Sequence, residues 1–167
     1  MTQAVKPDLA DRFRETMRRT ASGVAVLTTD GAAGRAGITV STLCSLSMEP
    51  PSVVACVHRD NRALDTILAN GVFAANVLAD DQEIVAKTFA GMIPEMRHDR
   101  FASGRWQQLA TTAPVLQNAL AAFDCKTAST FDFGTHRILI GEVVEVDNRD
   151  GAPLLFADRN FRRLLAA

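Results

Sequence analysis

Apolar residues recur along this chain in short runs punctuated by glycine, proline, asparagine and aspartate, and a few longer stretches carry the helical period. Asp8 is placed to cap a short helix in which Leu9, Phe13 and Met17 share one face, while Arg12, Arg14, Arg18 and Arg19 lie elsewhere. Ser22 and Gly23 end it, and residues 23–29 read as a strand followed by a flexible turn over 30–37. A hydroxyl-rich strand runs from Gly37 to a double proline, Pro50 and Pro51, and an apolar strand from Ser52 to His58 follows it. Asn61 caps a second helix that buries Leu64, Ile67 and Leu68 and closes at Asn70 and Gly71. After a strand over 72–78, Asp80 and Glu83 form a capping box for a helix through Phe89, which Gly91 stops.

The pattern then turns irregular from Met92 to Ala113, with Pro94 and Gly104 inside it; a loop of that length in a compact domain is often functional. A short helical piece over 115–122 leads into a strand over 123–131. Asp132, Phe133 and Gly134 turn the chain, and residues 136–146 make the longest strand. A turn over 148–151 precedes a last strand-like segment over 153–156. Strands joined mainly by hairpins, with few helices, predict an antiparallel barrel, its ends and open seams covered by the helices.

Composition narrows the function classes. The 167 residues suit one domain spanning 1–167, and the net charge of −1, without a basic run, gives no support for nucleic-acid binding. The apolar runs are far too short to span a membrane as a helix, and the N-terminal residues are polar, without a signal-peptide core. Cys44, Cys56 and Cys125 are odd in number and set in strand-like surroundings, so they read as reduced thiols of a cytoplasmic protein.

Several motifs are absent. Gly31, Gly34 and Gly37 precede a strand rather than a helix and do not match the dinucleotide fingerprint. His58, His98 and His136 lack ligand spacing, so no metal site is expected. No nucleophile elbow, Walker loop or acidic pair occurs. An enzyme built this way relies on a bound cofactor for its chemistry. Thr39, Ser41, Thr42, Ser45 and Ser47 either line a crevice that holds an anionic ligand through hydroxyls and backbone N–H groups, or form an ordinary solvated strand face. His136, at a strand start after Gly134, is either a rim residue that touches a ligand or a surface turn histidine.

Taken in order, these segments resemble the short-chain flavin reductases of the flavin-reductase-like, FMN-binding split-barrel family. The carriers of the resemblance are Phe13 and Arg14 with residues 21–29, residues 37–47 with Pro50 and Pro51, 73–78, 89–91, Gly134 to His136 with 141–143, and 153–156. The likeness covers residues 13–164. It implies a mainly β fold with flanking helices, an antiparallel Greek-key split β-barrel. It also implies a reductase that transfers hydride from NADH or NADPH to FMN or FAD and passes reduced flavin by diffusion to a separate monooxygenase. A flavin-binding electron carrier or sensor without reductase activity is the alternative.

The same resemblance assigns residues. Thr39, Val40, Ser41 and Thr42 run along the flavin ring and ribityl chain; Ser45, Ser47, Cys56, Val57, His58, Asn61 and Arg62 surround the ribityl and phosphate. Phe89 and Ala90 close one side of the ring. His136 meets the nicotinamide, and Arg159, Asn160 and Phe161 lie where the C-terminal segment approaches it. Two positions depart from the family pattern: Thr135 stands where many relatives carry Asp, and Phe161 where many carry Tyr. Hydride transfer requires the nicotinamide C4 and flavin N5 to be held about 3–3.5 Å apart. Open barrel seams also predict a homodimer, with Phe131, Phe133, Ile138, Leu139 and Ile140 at the contact.

Overall fold

The computed structural model describes residues 8–164, so most of the polar N-terminal stretch lies outside the described residues. Helix α1 (Leu9–Met17) leads into strands β1 (Ser22–Gly23), β2 (Ala25–Thr29), β3 (Ala36–Val40), β4 (Cys44–Met48) and β5 (Pro51–His58). Helix α2 (Arg62–Asn70), strand β6 (Val72–Val77) and helix α3 (Glu83–Phe89) follow. Two single-turn 3-10 segments, Pro94–Met96 and Arg100–Ser103, precede β7 (Trp106–Gln107) and β8 (Val115–Leu116). The hairpin of β9 (Ala121–Phe133) and β10 (His136–Asn148) comes next, then β11 (Leu155–Ala157) and β12 (Asn160–Arg162).

Seven strands form one antiparallel sheet in the order β3-β2-β6-β9-β10-β5-β4. Alternation decides what covers each face. In and beside β2, Ala25 and Leu27 join a core with Val57, Phe73, Leu139 and the α2 residues Leu64 and Ile67. Val24 and Val26 face the other way, toward Val85, Ala86 and Phe89 of α3 and Leu154. Both faces of β2 are therefore buried, which explains the apolar run from Val24 to Leu27 and the burial of Thr28 and Thr29 after it.

The hydroxyl-rich stretch is not one strand. Residues 41–43 break it, and β3 and β4 fall on opposite edges of the sheet. Four residue steps from Val40 to Cys44 reach at most about 14 Å, whereas seven flat strands would hold their edges about 29 Å apart. The sheet must curl until the edges approach. Thr42 fixes that approach: its hydroxyl accepts from the Cys56 N–H at 3.0 Å and donates to the Cys56 carbonyl at 2.8 Å.

Both cap signals at the first two helices match the structure. The Asp8 carboxylate accepts from the Ala10 N–H and Asn61 Oδ1 from the Ala63 N–H; Gly71 closes α2 at φ +69°. The Asp80–Glu83 capping box does not form. Gln82 holds the position before α3, and its side chain instead joins the Ala79 N–H to the Asn118 carbonyl, tying two loops together. The expected helix over 115–122 is also corrected: Val115–Leu116 is a strand paired with β7, and the buried Asn76 amide oxygen accepts from the Leu116 N–H at 2.7 Å. A long-range acceptor thus replaces the bond that a helical turn would have made. The turn into β10 is Gly134 and Thr135, with φ +56° at the glycine, while Asp132 and Phe133 remain in β9.

Candidate functional site

Edge strand β3 joins two concave regions. At its start, a groove of about 620 Å³ is lined by Arg35, Ala36 and Gly37, the first turn of α2 with Asn61 and Arg62, and the loop residues Arg97 to Phe101. Four arginines (35, 62, 97 and 100) and His98 face two aspartates, Asp60 and Asp99, so the groove is electropositive. The Arg35 guanidinium carbon lies over Phe101, 3.9 Å from the ring centre, and Arg100 reaches the Phe89 carbonyl. Arg62 and Arg97 make no ion pair among the described residues and remain available to an anion. The N-terminal N–H groups of α2 add to this field.

Gly37 is what lets α3 close on this strand. A Cβ there would stand 2.6 Å from the Phe89 ring, so the ring packs directly on the backbone of β3. Phe89 is consequently 1% exposed and belongs to the core; its neighbour Ala90 is the residue that reaches the surface. The far end of β3 opens on a narrow cleft of about 190 Å³ formed by Thr39, Val40, Ser41, Ala90, Met92 and Phe161 with Val24 and Phe156. A wider depression between Ser41, Thr42, Phe156, Arg159 and the Phe13–Met17 face of α1 continues from it.

The histidines sit near the arginine end. His58, the last residue of β5, directly faces His136, the first of β10, and Asp60 and Asn61 follow His58 into the groove. Both imidazoles are exposed. Beside them Arg137 binds Asp132 through two nitrogens at 2.6 and 2.8 Å, and these bonds hold the Asp132 carboxyl below the usual carboxylate range.

The expected site residues thus divide. Thr39 to Thr42, Ala90, Arg159 and Phe161 gather at one end of β3; His58, Asn61, Arg62 and His136 gather at the other. Ser45 and Ser47 join neither: on β4 they line an apolar groove with Leu43, Met48, Val53 and Phe123. The Ser47 hydroxyl is committed to the turn at Glu49, bonding both its N–H and carbonyl. Cys56 is half-buried with its backbone held by Thr42, and Val57 is a core residue. Asn160 turns back on the Asp158 carbonyl. The Thr39 hydroxyl donates to the Ala86 carbonyl at 2.7 Å, so it anchors α3. Arg35, Arg97 and Arg100 carry no motif that marks them as site residues, and His98 enters the sequence reading only as a histidine without ligand spacing, although the charged run 97–100 lies inside the irregular loop.

Residues 17–165 match the model of the flavin reductase like domain. The chain belongs to that family. Among flavin reductase-like relatives, FMN reductase (NADH) RutF of Agrobacterium fabrum is 41% identical over 91% of this chain and 87% of its own. The flavin reductase component of a bacterial two-component tryptophan halogenase, BorF, superposes at TM-score 0.83 with 30% identity, over 95% of this chain and 99% of its own. The Streptomyces globisporus NADH:FAD oxidoreductase SgcE6, solved with NAD and FAD fragments, reaches TM-score 0.86 at 28% identity, over 98% of each chain.

Proposed function

We propose that this protein is an NAD(P)H:flavin oxidoreductase that reduces FMN or FAD and releases it to a separate flavin-dependent monooxygenase. The relatives support flavin reduction with NADH and transfer to a partner enzyme: an FMN reductase that uses NADH, an oxidoreductase solved with NAD and FAD fragments, and the reductase component of a two-component halogenase. The observation in this chain that carries the reading is the groove where Arg35, Arg62, Arg97 and Arg100 meet the first turn of α2 at one end of β3. Its donors suit a nucleotide phosphate, and the apolar cleft at the other end of β3 suits the edge of a planar ring.

Flavin, when bound, accepts the hydride of reduced nicotinamide. The protein's residues bind and orient. Arg62 and Arg97 hold phosphate oxygens through charge-assisted bonds, and Asn61 keeps the first turn of α2 formed beside them. Backbone groups at Thr39 to Ser41, with Ala90 and Phe161, border the ring. His136 meets the nicotinamide from the rim, with Thr135 on its Nδ1.

The curled sheet is the Greek-key split barrel expected of this family, and the protein is a cytoplasmic homodimer. Among the described residues no helix is long and apolar enough to cross a membrane, and Cys44, Cys56 and Cys125 are free thiols. The apolar surface needing a partner includes Phe131 and Phe133 at the hairpin tip, 56% and 81% exposed, and Leu9, Phe13 and Met17 on α1. Leu139 is fully buried within its own chain and takes no part. Light scattering at micromolar concentration is expected to give twice the chain mass; a monomer rejects the shared interface.

The function itself is tested by adding NADH to flavin-loaded protein without oxygen. The flavin absorbance near its visible maximum is expected to bleach at a rate that saturates with NADH. Protein that binds flavin but is not bleached by NADH or NADPH is a carrier or sensor instead.

A further inference from the structure

His58 and His136 form one unit at the rim. They are direct partners on the terminal rung of the β5–β10 ladder, and their rings meet edge-to-face, with centroids 5.2 Å apart and planes at 74°. The Thr135 hydroxyl shares a hydrogen bond of 2.9 Å with His136 Nδ1, and the Asp60 N–H donates to His58 Nδ1 at 3.3 Å. An Nδ1 that accepts leaves neutral His58 with its proton on Nε2. The backbone around His58 is held on both sides, by the Arg59 N–H on the Thr135 carbonyl and the Asn61 N–H on the His58 carbonyl.

The two rings differ in support. His58 leads directly into the capped helix α2 and is braced by its own chain. His136 starts a strand at the tip of an exposed hairpin, after a two-residue turn, and its ring meets the Thr135 hydroxyl and the ring of His58. Of the charged groups nearby, Asp132 and Arg137 are closed on each other by two bonds, the charge of Arg59 also acts on Asp132, and Asp60 lies on the His58 side, 3.9 Å from its Nδ1.

We propose that His58 is a positioning residue for NAD(P)H binding, fixing the orientation of the His136 ring through this edge-to-face contact. The proposal rests on the reading that His136 meets the nicotinamide. It also accounts for His58, whose ring meets His136 and does not line the neighbouring groove formed by Asn61 and Arg62.

Four proteins test it: His58→Ala, His58→Phe, His136→Ala and the double alanine variant. An edge-to-face ring contact corresponds to about a twofold to tenfold effect. His58→Ala is expected to raise KM for NADH by that factor, leave kcat at saturation and flavin affinity unchanged, and add nothing in the His136→Ala background. His58→Phe, which keeps a ring in place, is expected to restore KM. Independently of turnover, the His136 ring signals in ¹H–¹⁵N spectra of ligand-free protein should shift in His58→Ala and return toward the parent in His58→Phe. Unchanged KM and unchanged His136 signals in His58→Ala, with KM still raised by His136→Ala, reject the positioning role and leave the nicotinamide reading standing. Additive effects on KM assign His58 its own ligand contact and also reject it. If His136→Ala itself leaves KM for NADH unchanged, the underlying reading falls and the proposal with it.

Discussion

The hydroxyls of residues 39–47 and the arginines of the α2 groove are both sets of hydrogen-bond donors, yet they do different work. Thr39 holds the Ala86 carbonyl, Thr42 holds both backbone groups of Cys56, and Ser47 closes the turn at Glu49. Arg62 and Arg97 extend into the groove without an ion-pair partner among the described residues. A short hydroxyl side chain stays within reach of backbone, and wherever the fold brings an unpaired carbonyl or N–H beside it, that partner wins. A long guanidinium clears the backbone and keeps its charge in a shaped concavity. In this molecule Thr39, Thr42 and Ser47 are spent on the backbone, and the arginines extend into the groove proposed to take the phosphate.

The largest effect that sharpens this contrast is expected from Arg62→Ala. Losing a charge-assisted phosphate contact, worth about 1.5–3 kcal/mol, raises KM for flavin on the order of tenfold to a hundredfold. Since the contact is equal before and during hydride transfer, kcat at saturating flavin holds. Steady-state kinetics across flavin concentrations decide it; an unchanged KM would move the phosphate elsewhere and break the contrast at its strong end.

The hydroxyl side is read in stability rather than kinetics. Thr42→Val leaves the N–H and carbonyl of Cys56 without their side-chain partner, so urea denaturation should show a loss of about 1–3 kcal/mol. Ser47→Ala, at an exposed turn, should cost less than about 1 kcal/mol. Neither is expected to change KM for flavin more than about twofold. A large KM effect with intact stability would mean that the hydroxyl does face the ligand.

Legibility from the sequence followed the range of the deciding interaction. The caps at Asp8 and Asn61, the αL stop at Gly71, and the β9–β10 hairpin each rest on contacts within a few residues, and each is present. The 115–122 segment failed because its partners lie outside it, Trp106 and Gln107 across an irregular loop and the Asn76 amide 40 residues away. The capping box failed likewise, because Gln82 was drawn to Asn118 in another loop.

The site divides along the same line. The ordered set of segments was enough to identify the family, since turn glycines, the double proline and strand patterns are properties of local sequence. Which side chains share a concavity was decided by the curl of the sheet. Residues 41–43 carry the chain from one edge to the other, separating Ser45 and Ser47 from Thr39 to Thr42 although they are neighbours in sequence. The same curl places Arg35 beside Arg62, while the irregular loop supplies Arg97 and Arg100. Alternation assigns a residue to a face of its own strand, but which residues share a concavity depends on strand order and closure, set by the packing of the whole chain.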